Sequence, residues 1–127
     1  MSITLKIDPS NQLSTFIATG KISSNEIVET VESFYKKQPS SNVLWDLRYA
    51  DLEALLYSDE LENITTSLTK LNWKLIRVGK TAIVASTDLW FSLSRMYSKF
   101  VEIKDVSHII RVFRFMDEAI KWLGSEQ

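Results

Sequence analysis

His108 is the only histidine in the chain, and there is no cysteine. Nucleophile–histidine relays have one imidazole to build on. Thiolate catalysis, disulfides and cysteine-based zinc sites are excluded. A zinc ion would need carboxylates for the rest of its ligands, an uncommon set, so no metal and no cofactor is expected. His108 borders a strand-like run and a charged loop, where a solvated imidazole is the simpler reading. Carboxylate pairs are the next source of acid–base chemistry. Asp59-Glu60 and Asp117-Glu118 fall in the first turns of helical segments, where they complement the positive end of the helix dipole. Asp46 differs, because it interrupts the apolar run Val43-Leu44-Trp45-Asp46-Leu47-Arg48. It has the setting of a base in a cleft, but an ion pair with Arg48 or Arg111 explains it more simply.

The chain has three glycines, Gly20, Gly79 and Gly124, and neither GxGxxG nor GxxxxGK is present. The remaining candidate for an anion is Ser86-Thr87, at the end of one strand and the start of the next helix. Open α/β sheets bind ligands at such ends, and Arg48 and Arg114 lie at the ends of flanking strands. Capping and ordinary surface charge are the competing explanation. Apolar recognition has its own candidates in Leu55, Leu56, Trp90 and Phe91. An enclosed cavity between them would take a small molecule or lipid, whereas a flat patch would take a protein or a second copy.

The elements that must position these residues follow from periodicity. Ile3-Thr4-Leu5-Lys6-Ile7 alternates as a half-buried strand does, and Asp8-Pro9-Ser10-Asn11 is turn chemistry. Leu13 to Thr19 is a second strand, so the first two form an antiparallel hairpin with the first on an edge. Gly20 ends that strand, and Ser23 with Glu26 reads as a capping box. Ile27, Val28, Val31, Phe34 and Tyr35 share one face of the helix that follows. Val43 to Arg48 is nearly continuously apolar, as buried parallel strands are. Tyr49 to Tyr57 reads as a structured loop or short helical turn. Ser58 caps a helix carrying Leu61, Ile64, Leu68 and Leu71. Lys70, Lys74, Arg77 and Lys80 make the following connector basic. Thr81 to Ala85 is the fourth strand, Asp88 to Phe100 a helix, and His108 to Arg114 the fifth strand. The last helix starts near Met116 and ends at Gly124, where a left-handed C-terminal cap is expected. The order is ββαβαβαβα, which predicts an α/β domain with a five-stranded mixed sheet and about four helices.

A chain of 127 residues with 45% hydrophobic and 24% charged residues suits one domain, spanning 1–127, with its own core. The net charge of -1 gives no field that favours nucleic acid. Acidic residues number ten and basic five through Ile64, then six and ten from Thr65, so the halves carry about -5 and +4. Both halves interleave in one sheet, so the signs mix on the surface. No apolar run reaches the ~18 residues of a membrane span, and no signal-peptide pattern opens the chain. A cytoplasmic location is the expectation.

Four stretches together resemble the SpoIIAA-like group of small bacterial proteins, the STAS/Sec14-like domains. They are Leu44-Trp45-Asp46-Leu47-Arg48, Lys80-Thr81-Ala82-Ile83-Val84, Ser94-Arg95-Met96-Tyr97, and Val112-Phe113-Arg114 leading into Asp117 to Leu123. The resemblance covers Leu5 to Gly124. It implies a (βα)n superhelix with strands in sequential order and helices mainly on one sheet face, one face being wetter than the other. It also implies a non-enzymatic regulatory module that binds a protein partner or forms a homodimer, as anti-sigma factor antagonists do. The Sec14-like branch implies the alternative, an apolar ligand or lipid. Anti-sigma factor antagonists of this type carry a phosphorylated serine at a helix start after the third strand. Ser58 occupies a comparable place, but Tyr57 stands where the family has aspartate, and Asp59 and Glu60 follow where it has small residues. Those carboxylates would repel a phosphate, so N-capping is the simpler role for Ser58.

Overall fold

A computed structural model describes residues 3–37, 42–51, 79–86 and 110–125. Five strands form one sheet: β1 (Ile3–Asp8), β2 (Leu13–Lys21), β3 (Asn42–Asp51), β4 (Thr81–Ala85) and β5 (Ile110–Phe113). They lie in the order β1-β2-β3-β4-β5. β1 pairs antiparallel with β2, and each later neighbour is parallel. The mixed sheet with an antiparallel edge is therefore as expected. Two α-helices are described, α1 (Ser24–Lys37) and α2 (Met116–Leu123). The helices predicted at Ser58–Leu71 and Asp88–Phe100 lie outside the described residues, as do His108, Ser58, Leu55, Leu56, Thr87, Trp90 and Phe91.

The β1–β2 turn forms as its residues dictate. The Asp8 carboxylate accepts hydrogen bonds from Ser10 Oγ at 2.8 Å and Asn11 Nδ2 at 2.7 Å, which hold its pKa below the ordinary value. Pro9 opens a short 3-10 turn that closes with Gln12 in the left-handed region at φ 51. Ser23 Oγ accepts from Glu26 N at 3.2 Å, so the predicted N-cap of α1 is in place.

The strand alternation sorts side chains onto two faces. Phe16, Ala18, Val43, Trp45, Leu47 and Ala85 form one core with Ile22 and Phe34, and Ile27, Val28 and Val31 of α1 pack against it. Leu44, Ala82, Val84 and Phe113 form a second core with Ala119 and Leu123 of α2. The two described helices thus lie on opposite faces. α2 follows the last strand, so it is not a crossover and the handedness rule does not assign it a side. On β2 the α1 face is dry (Ser14, Phe16, Ala18), while Leu13, Thr15 and Ile17 opposite are half-buried. On β3 the residues from Val43 to Leu47 are buried on both faces, so a single wetter face does not extend across the sheet.

Three expectations need correction. Gly20 does not end β2: it takes φ 71 inside the strand and pairs with Ala50. Tyr49 to Asp51 is not loop but the continuation of β3. One cause covers both. Ile17 faces Asp46, but Thr19 faces Tyr49, so β3 carries one extra residue at Leu47-Arg48 and pairing resumes beyond this bulge. Third, Gly124 is right-handed at φ -84, ψ -3, not a left-handed cap. Its N–H bonds Ile120 O at 3.1 Å. The carbonyl of Trp122 is taken by Ser125 N at 3.1 Å, Ser125 Oγ at 2.7 Å and Lys80 Nζ at 2.8 Å. An ammonium from another part of the chain does the work of a left-handed cap.

Candidate functional site

Because β2 to β5 run parallel, their C-terminal ends gather on one rim of the sheet. Leu47 pairs with Ala85, and the next residues on those strands are Arg48 and Ser86. Val84 pairs with Phe113, and the residue after Phe113 is Arg114. The register thus brings Arg48, Ser86 and Arg114 to one rim, with Ser86 on the middle strand of the three. All three are exposed.

The bulge in β3 shapes the Arg48 side of this rim. Arg48 folds back onto Asp46, with Nε donating to Oδ1 at 2.9 Å and an Nη donating to Oδ2 at 3.0 Å. Arg48 N also donates to Oδ1 at 3.2 Å. Asp46 is buried at 5% exposure, yet its oxygens are met by a two-pronged guanidinium. Of the two partners considered for Asp46, Arg48 is the one the structure shows. Hydrogen bonding to Arg48 pulls the Asp46 pKa below its ordinary value against the opposing effect of burial. A carboxylate held this way is a weaker base than a free one.

The sign of the pH effect follows. A carboxyl with a lowered pKa in the folded chain adds stability above its unfolded value, and loses it as pH falls through the folded value. Asp46→Asn is expected to cost about 1 kcal/mol at neutral pH. It should also flatten the acid limb of the stability curve below about pH 4. Urea unfolding of both proteins at neutral and acid pH checks this. An acid limb as steep in the variant as in the parent would remove Asp46 from the account.

Each arginine of the rim is followed by an exposed aromatic. Tyr49 is 65% and Phe115 54% exposed. The Arg48 guanidinium lies 5.2 Å from the Tyr49 ring centroid, and that of Arg114 5.6 Å from the Phe115 ring. Each pair is a cation–π contact, which presents a flat amphipathic surface instead of a free charge. The aromatic half of the rim was missed in the sequence. A signal was there: the arginine–aromatic dipeptide occurs twice, as Arg48-Tyr49 where β3 runs on past its pairing with β4, and as Arg114-Phe115 just after β5. Among the described residues, no group of three His, Cys, Asp or Glu side chains is placed to hold a metal ion. Among the same residues, no helix is long and apolar enough to cross a membrane.

No family model and no curated protein matches the chain. Solved structures do. One is a protein of the DUF3478 family with a SpoIIAA-like fold, from Shewanella loihica. It is 17% identical, with a TM-score of 0.51 over 95% of this chain and 91% of that one. Another is an anti-sigma factor antagonist from Mycobacterium paratuberculosis. It is 13% identical, with a TM-score of 0.55 over 98% of this chain and 96% of that one. The fold is SpoIIAA-like. At these identities the likeness speaks for the SpoIIAA-like fold and leaves function to be argued from the site. In this chain the rim of that fold carries two arginine–aromatic pairs about a serine.

Proposed function

We propose that the chain is a non-enzymatic regulatory module that binds a partner protein through the C-terminal rim of its sheet. The observation that carries this reading is the exposure of Tyr49 and Phe115 beside Arg48 and Arg114. Tyrosine, phenylalanine and arginine are enriched in protein interfaces, and the aromatic rings bring contact area at low entropic cost. The anti-sigma factor antagonist with this fold supports a regulatory role. In this reading Ser86 lies between the two pairs, and Thr87, Leu55, Leu56, Trp90 and Phe91 are candidates for further contact. Ser58 is a candidate for phosphorylation. The module works in the cytoplasm.

Affinity capture from native cell extract tests the proposal, using the parent and a Tyr49→Ala/Phe115→Ala double variant. The expected result is a stoichiometric protein partner lost from the double variant, with a binding deficit of at least tenfold when the purified pair is titrated. Both side chains are more than half exposed, so the variant should keep its fold, which circular dichroism verifies. The same partner bound equally by both proteins would move the site off the rim. An extracted lipid or small molecule, with no protein, would favour the apolar-ligand reading instead.

A further inference from the structure

The rim is not the only surface built for contact. β1 is an edge strand whose residues from Thr4 to Asp8 are exposed, and it carries two large apolar side chains in solvent, Leu5 at 43% and Ile7 at 48%. The register with β2 sets Ile3 against Ala18, Leu5 against Phe16 and Ile7 against Ser14, so all three lie on the α1 face of the sheet. Ile3 packs onto the core there, and Leu5 and Ile7 continue its line outward. Edge strands of this kind are usually blunted, because their outward N–H and C=O groups template pairing with another strand. Here the blunting is confined to Lys6 in mid-strand and to Asp8-Pro9 at the end.

Those residues select a pairing more than they prevent one. Centred on Leu5, a second antiparallel copy sets Leu5 against its own counterpart, Ile3 against Ile7, and Thr4 against Lys6. Every apolar residue then meets an apolar one on the same face, and no like charges face each other. Shifting by one residue puts Leu5 against Lys6 and breaks the match of faces. Shifting by two in one direction sets Lys6 directly against Lys6, which is destabilising. Shifting by two in the other sets Thr4 against Thr4 and pairs only Ile3 to Leu5 of the strand, where the Leu5-centred register pairs Ile3 to Ile7. Sliding further brings in Pro9, which has no N–H to donate. We infer that β1 pairs with β1 of a second copy in the Leu5-centred register, joining two five-stranded sheets into one of ten strands. The two-fold axis then runs perpendicular to the sheet, and the apolar stripe Ile3-Leu5-Ile7 of each copy lies between the two α1 helices. This inference stands apart from the rim reading, since β1 is at the far edge of the sheet from β5.

The absence of native cysteine makes the register directly readable. Leu5→Cys, Thr4→Cys, Lys6→Cys and Ile7→Cys would be made singly and oxidised mildly, with sedimentation velocity of the parent over a concentration series. The expected results are a concentration-dependent dimer and a disulfide-linked dimer that forms at least tenfold faster for Leu5→Cys than for the other three. Mixing Thr4→Cys with Lys6→Cys should give the crossed product in preference to either homodimer. These positions are exposed, so the variants are expected to fold as the parent does. A parent that stays monomeric up to millimolar concentration would overturn the inference. So would a dimer in which Leu5→Cys has no advantage, because the copies would then meet elsewhere or in another register.

Discussion

Phe16→Ala is expected to lower the unfolding free energy by about 3–5 kcal/mol, a large fraction of the roughly 5–15 kcal/mol that a domain commonly has. Phe16 is 3% exposed and occupies the centre of the α1-side core. It stacks on Trp45 with ring centroids 4.5 Å apart and planes at 19°, and meets Phe34 edge-on at 5.3 Å and 78°. It therefore joins three elements, since the rings come from β2, β3 and α1. Truncation forfeits the transfer free energy of the ring and leaves a cavity that stacked strands cannot close. Phe16→Leu retains most of the volume and loses the ring contacts, each worth about 0.5–1.5 kcal/mol. It should cost about half as much as alanine or less. Urea unfolding of the three proteins would measure this, with a fall in melting temperature of roughly 10–20 °C for the alanine variant. If alanine costs under about 1.5 kcal/mol, the outer part of the sheet does not depend on this core as described.

Local pattern carried most of the fold. Ile3 to Ile7, Leu13 to Thr19 and Thr81 to Ala85 were legible as strands because alternation and β-branching are properties of the segment itself. The ends of β2 and β3 were not. Gly20 has the chemistry of a strand terminator, and only the bulge on its neighbour lets it stay in the sheet at φ 71. A bulge is a relation between two strands, and neither sequence announces it. The candidate site divides the same way. Arg48, Ser86 and Arg114 could be placed on one rim because parallel neighbours share a direction, although β3 runs on past Arg48 to Asp51. That Arg48 would turn back onto Asp46 depended on the bulge, although the spacing of two residues made the pair a reasonable candidate. Tyr49 falls in a stretch that reads as loop, and Phe115 between a strand and a helix, so neither sequence position announces the exposure that the structure shows. In sequence Lys80 belongs with Lys70, Lys74 and Arg77 to a basic connector. Its actual partners are 42 and 45 residues away, which no local window contains.

Those distant partners make Lys80→Met the most informative single change outside the aromatic core. Lys80 is 9% exposed, and its ammonium donates to Trp122 O at 2.8 Å, Ser125 O at 2.7 Å and Ser125 Oγ at 2.5 Å. It also lies 5.3 Å from the centroid of the Trp122 ring. The charge sits at the negative end of the α2 dipole and takes carbonyls that the helix leaves open. Its backbone is fixed as well, since Lys80 N donates to Asn42 Oδ1 at 3.0 Å and Lys80 O accepts from Val43 N at 2.8 Å. The lysine thus ties the end of α2 to the start of β3 and β4. Methionine keeps the length and apolar stem, and removes the charge with all three side-chain donors. Hydrogen bonds from charged groups are worth about 1.5–3 kcal/mol, but Ser125 is near solvent and water can recover part of the loss. The expected net cost is about 2–3 kcal/mol, with amide exchange in Ala119 to Gly124 rising more than in β3. Arginine should rescue poorly, because a planar fork does not reproduce three donors on one nitrogen. Burying an ammonium carries its own desolvation penalty, and a well-packed apolar replacement can offset the loss of the ion entirely. A methionine variant as stable as the parent would mean that this penalty wins, and that α2 is held by Ala119, Leu123 and Trp122 packing on Val84 and Phe113 alone.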